Sequence, residues 1–183
     1  MSLSVQKRAE YVATFRFIQV FLMETVARWL PQTAEMEVKV LFGRHVWELA
    51  QQADGLGKRV YELRAPLQFS LRPVEKYAQM LDEFARTEGT PQKLSGFYDV
   101  MLPGLAARYR NYLELTDRLL DEPTVRVVEK ILGESQKMIK ESETLRTELP
   151  QLRLNDKNWP ARLAKLESSE AVIVAHRPTT AVA

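Results

Sequence analysis

Apolar residues recur every three or four positions along most of this chain and nowhere alternate convincingly, which is the period of helices and not of strands. A first helix is predicted over residues 5–30, stopped by Pro31. At about 100° per residue, Tyr11, Thr14, Phe15, Ile18, Leu22, Thr25, Val26 and Trp29 share one face of it. Phe17, Val20 and Met23 lie off that stripe, so a second packing surface is expected. Thr33 reads as the cap of a second helix, with Glu35 and Glu37 in its first turn, where carboxylates suit the helix dipole. The inner face of this helix is Val38, Leu41, Phe42, His45, Val46, Leu49, Gln52, Ala53 and Leu56. Its opposite side carries Met36, Val40 and Trp47, an apolar stripe that calls for cover by a later segment or by another subunit. Gly55 and Gly57 are expected to loosen the helix end.

Residues 66–73 are bounded by prolines and are expected to be extended; a short amphipathic helix then follows over 74–86, with Tyr77, Met80, Leu81 and Phe84 on one side. A third long helix is predicted from about Lys93 to Leu120, kinked at Pro103 and Gly104. A fourth starts at Pro123 and ends before Pro150, with Thr124, Val127, Val128, Ile131, Ser135, Met138, Ser142 and Leu145 inward. Residues 159–166 read as a short docking helix and 168–183 as a mobile tail. The expected organisation is therefore a helical bundle over 1–150 and an appendage over 151–183.

Composition narrows the chemistry more than it names it. The chain has 183 residues, enough for one well-buried core. Its 26 basic and 24 acidic residues give a net charge of +2, too balanced for the concentrated basic face that nucleic acid needs. In Arg108-Tyr109-Arg110-Asn111-Tyr112 the helical period turns the tyrosines in and the arginines out. There is no cysteine, which excludes disulfides, thiolate metal ligands and thiol nucleophiles. Charges at Arg16, Glu24 and Arg28 interrupt the most apolar window, so a membrane span is not expected, and Met1–Arg8 lacks the apolar core of a signal peptide. A cytoplasmic protein is the expectation. No glycine-rich phosphate loop, Ser-His-Asp order or His-Glu-x-x-His is present.

Two antiparallel helix pairs joined by one long connection is the arrangement of ferritin-like bundles. The stretches LFGRHVWELAQQADGL, KRVYELR and DEPTVRVVEKILGESQKM resemble the second and fourth helices of that superfamily. The resemblance implies an all-α, ferritin-like four-helix bundle whose long crossover contains a short helix. Its di-iron members place a Glu on two helices and Glu-x-x-His on the other two. The matching positions here are Glu48-Leu49-Ala50-Gln51 and Glu134-Ser135-Gln136-Lys137, so both glutamates are present and both histidines are replaced. Counting residues down the helices puts Glu48 and Glu134 at one level, beside Thr14, Phe15, Tyr109 and Tyr112, which supply no further carboxylate.

The first functional reading is thus a non-catalytic binding or self-associating module without an intact di-iron site or a cofactor. A homodimer or a helical protein partner would cover Met36, Val40 and Trp47. The alternative is an oxidoreductase or oxygenase using iron or another divalent metal at a reduced site of His45, Glu48 and Glu134. His45, one of two histidines, is weighed there as a ligand or acid–base group against a hydrogen-bonded core histidine. A third reading is a binder of an apolar small molecule in a polar-lined bundle centre of Thr14, Gln52, Tyr109, Tyr112 and Ser135. His176, in the expected tail, has no ligand-like neighbour in sequence.

Overall fold

A computed structural model describes residues 3–64 and 70–176, and among these there are helices and turns but no strand. Helix α1 spans Val5–Trp29 and is started by Ser4, whose hydroxyl accepts from the Lys7 amide at 3.3 Å. Pro31 ends it through a 3-10 turn, Leu30–Gln32. Helix α2 spans Met36–Glu62 and buries Val38, Leu41, Phe42, His45, Leu49, Gln52, Ala53, Leu56 and Val60 along one face. Thr33 does not cap it. The tight proline turn brings the Thr33 hydroxyl back onto the carbonyl of Trp29 at 2.9 Å, so it closes α1 instead. Nor do Gly55 and Gly57 loosen the helix, which runs on through both. Gly57 makes room for α1: a Cβ there would stand 2.8 Å from Nε of Arg16.

Residues 66–69 of the expected extended connection lie outside the described residues. Helix α3 spans Glu75–Ala85 and buries Tyr77, Met80, Leu81 and Phe84, as its period predicts. Residues 90–115 form one continuous helical stretch with an irregular middle: α4 over Thr90–Leu94, a π-helical segment over Ser95–Met101, and α5 over Leu102–Leu115. The cause lies next door. Pro103 has no N–H and its ring crowds the carbonyl four residues earlier, so the helix widens just before it, with the Leu102 amide bonded to the carbonyl of Phe97.

Helix α5 stops at Leu115, five residues short of the predicted end, because Asp121 folds back beneath it and takes the hydroxyls of Tyr112 and Thr116. Leu119 and Leu120, expected inside that helix, are 85% and 70% exposed as a result. Helix α6 spans Glu122–Glu148, with Pro123 in its first turn where a missing N–H costs nothing. Helix α7, Asn158–Ser168, packs on the π segment and α3. A Cβ on Gly96 would stand 2.6 Å from Cη2 of Trp159, so only glycine lets α7 this close.

Side-chain pairs fix the helix directions. Trp29 meets Phe42 near the α1–α2 turn, and Arg16 crosses Gly57 near the other end, so these helices are antiparallel. The pairs Arg59–Thr124, Gln52–Glu134 and His45–Glu141 make α6 antiparallel to α2. Lys93 lies over Trp29 while Tyr112 meets Tyr11, so the 90–115 stretch runs against α1 and along α2. The tail is ordered further than expected. Ile173 and Val174 are buried in the common core, and the Val74 amide donates to the carbonyl of Ile173 at 2.9 Å. Residues 177–183 of the expected tail lie outside the described residues.

Candidate functional site

His45 is fully buried on the inner face of α2 and is held from both sides. Its Nδ1 lies 2.7 Å from the hydroxyl of Tyr98, in the π segment, and its Nε2 lies 3.0 Å from Oε2 of Glu141, on α6. A carboxylate only accepts, so Nε2 carries the proton and donates to Glu141. Nδ1 then accepts from the Tyr98 O–H. Burial pushes the Tyr98 phenol well up, which keeps that proton in place. Burial also lowers the His45 pKa from 6.5, against the hydrogen bond to Glu141 and the charges of Glu48 and Glu141 that favour the cation. Glu141 moves the other way from what its own burial dictates: the His45 hydrogen bond and the charges of Arg44, His45 and Lys137 bring its carboxyl below 4.5. The result is a neutral imidazole locked in one tautomer between three helical segments.

The predicted partners of His45 stand one and two turns further along the α2–α6 seam. Glu48 meets Lys137, with Nζ 3.5 Å from Oε1, and the same ammonium lies 3.8 Å from Glu141. Gln52 donates to Glu134 at 3.0 Å, and Lys130 lies 3.6 Å from that carboxylate. His45, Glu48 and Glu134 therefore share a seam but do not converge. Both ring nitrogens of His45 are engaged, a lysine ammonium sits between Glu48 and Glu141, and an amide occupies Glu134. This donor set does not suit a cation, since a protonated lysine repels one and the lone pair of the imidazole at Nδ1 is taken by the Tyr98 O–H. Among the described residues no group of three or more histidines and carboxylates is placed to hold a metal ion.

The polar residues predicted at the centre divide among separate duties. Thr14 is buried and bonds back to the Glu10 carbonyl at 2.8 Å, within its own helix. Tyr109 accepts from Gln19 at 2.9 Å, with its ring edge-on to Phe15. Ser135 is buried on α6. Tyr112 reaches the far end, where its hydroxyl donates to Asp121 at 2.5 Å. Asp121 is wholly buried and also accepts from Thr116, Thr124 and Arg59 at 2.8, 2.6 and 3.2 Å. Burial raises its carboxyl, but these four donors outweigh it and hold the pKa below 3.8. A surface groove of about 280 Å³, lined by Glu37, Leu41, Arg44, Glu141, Leu145 and Glu148, reaches Glu141 but not the imidazole behind it.

Tyr98, Glu141 and Asp121 are the residues that sequence reasoning missed. Glu141 lies seven residues beyond Glu134, which marks it as sharing that flank of α6; Tyr98 gives no comparable signal, because the π turn shifts its facing. The chain matches no protein-family model, no curated protein and no solved structure.

Proposed function

We propose that this chain is a ferritin-like four-helix bundle without a di-iron site, and that it works as a non-catalytic, self-associating module. The order of helix directions supports the bundle reading. Helices α1 and α2 are antiparallel, the 90–115 stretch runs along α2, and α6 returns against it, which leaves the span holding α3 as the long connection. The seam of His45, Glu141, Lys137 and Glu48, which includes one of the two glutamates matched to the di-iron motif, is held by charges and hydrogen bonds that need no ion.

One observation carries the self-association. Met36, Val40 and Trp47 are 65%, 57% and 66% exposed along one stripe of α2, the helix whose other face is closed by the core. Gly43 lies on the same stripe one turn before Trp47, and a Cβ there would meet nothing within 4 Å. A two-fold antiparallel contact would seat each Trp47 in the other copy's Gly43 notch, so the stripe is complementary to itself. Sedimentation velocity across micromolar concentrations tests this. The expected result is a dimer that Trp47→Lys converts to monomer without loss of helicity; a wild-type chain monomeric at about 50 μM would end the proposal. No helix is long and apolar enough to cross a membrane among the described residues, so the stripe belongs to a face and not to a span.

A further inference from the structure

Removing one electron from a phenol turns its O–H into a strong acid, so the radical forms readily only where a base already holds that proton. Four tyrosines, Tyr77, Tyr98, Tyr109 and Tyr112, are fully buried, and their hydroxyls differ in this respect. Tyr109 faces the amide of Gln19, and an amide is no base. Tyr112 donates to Asp121, and Tyr77 donates to Glu167 at 3.4 Å. Each of those carboxylates is the buried counter-charge of an arginine, Arg59 or Arg108. A proton moved onto either would strip that guanidinium of its partner inside the protein. Tyr98 alone of the four donates to an imidazole, at 2.7 Å.

What lies behind the imidazole completes the difference. Nε2 of His45 donates to Oε2 of Glu141, and Glu141 opens onto the surface groove beside the exposed Arg44 and Lys137. The hydrogen-bonded row thus runs from a sealed phenol to the solvent edge without a break. Ring contacts run the other way: Tyr98 is stacked on Phe42 at 6.4 Å, and Phe42 lies 6.0 Å from Trp29. Lys93 stands 5.7 Å over that indole and disfavours positive charge there, so an electron vacancy that reaches Trp29 passes on towards Tyr98.

We infer that Tyr98 is a one-electron redox site, a sink for oxygen-derived radicals that strike this chain. The oxidising radical gains one electron and Tyr98 loses it. The Tyr98 O–H bond breaks as an Nδ1–H bond forms on His45. The Nε2–H bond of His45 breaks in turn, and its proton goes to Oε2 of Glu141. Phenoxyl radical, imidazole and carboxylic acid are then all neutral, so the core gains no charge. Arg44 and Lys137 lose a counter-charge only where water replaces it. The reaction needs one chain and none of the α2 stripe.

Flash-generated carbonate radical is the probe, applied to the full chain, with freeze-quenched electron paramagnetic resonance as the readout. A tyrosyl spectrum is expected in wild-type, Tyr61→Phe and Tyr109→Phe chains and not in Tyr98→Phe. Its rate of formation should fall about 100-fold in His45→Gln, whose amide keeps a hydrogen bond but cannot take the proton. A spectrum that persists in Tyr98→Phe overturns the inference, as does a rate indifferent to His45→Gln. Should a variant fail to fold, the wild-type chain gives the answer. It has two histidines, and His176 is paired with Glu10. Labelling histidine with the heavy nitrogen isotope is expected to change a nitrogen coupling in the radical's spectrum, and a spectrum blind to the label overturns the site.

Discussion

At the scale of single residues, His45 is the position with the least freedom. Its two nitrogens are matched to one donor and one acceptor, and its ring is sealed from solvent. His45→Ala would leave the Tyr98 hydroxyl without its acceptor, leave Oε2 of Glu141 with Arg44 alone at 3.5 Å, and open a void between α2, α6 and the π segment. The expected loss is about 3 kcal/mol of unfolding free energy, measured by urea titration. A loss below about 0.5 kcal/mol would mean that the imidazole is not what closes this region. Part of this is legible in the sequence: the helical period puts His45 on the inner face of α2 and weighs it as a hydrogen-bonded core histidine. The partners are not legible, since they come from residues 53 and 96 positions away and periodicity says nothing about which helices meet.

Elements are more readable where their stops are chemical. Pro31, Pro123 and Pro150 mark boundaries to within a residue or two, because a missing N–H acts locally. The end of α5 escapes the pattern for the opposite reason. Its apolar period continues to Leu120, and what stops it is a buried carboxylate six residues past its last turn. Two glycines show how context decides the sign of a substitution. Gly96→Ala would drive a methyl into Trp159 and Phe84, and a cost of about 1–3 kcal/mol is expected, with red-shifted Trp159 fluorescence as α7 lifts. Gly133→Ala, within α6 and facing nothing within 4 Å, should stabilise by up to about 1 kcal/mol through helix propensity alone. Equal effects at both positions would show that α7 does not press on the π segment.

For the molecule as a whole, His45, Glu141 and Asp121 give stability a common direction with pH below neutrality. His45 has a folded pKa below 6.5, so the unfolded chain takes up that proton first, and stability falls as pH drops below 6.5 towards the folded value. Glu141 and Asp121 have folded values below 4.5 and 3.8; their contribution is present above those values and is lost as pH falls through the folded ones. Thermal melting from pH 8 to pH 3 should therefore show a decline that begins near pH 6.5 and steepens below pH 4.5. The early part should vanish in a His45→Gln chain, and its persistence there would assign it to another group.

The widened turn before Pro103 also sets a phase. A π turn carries one residue more than an α-helical turn, so the residues before it are rotated by about 100° relative to those after it. Tyr98 and the pair Tyr109 and Tyr112 thus belong to two offset ladders on what looks like one rod. Removing a single residue between Ser95 and Met101 would bring the ladders into step. The lower rungs would keep Gln19 and Asp121, while Tyr98 would swing away from His45. The extra residue works as a vernier, letting one rod mesh with neighbours that no straight helix would fit.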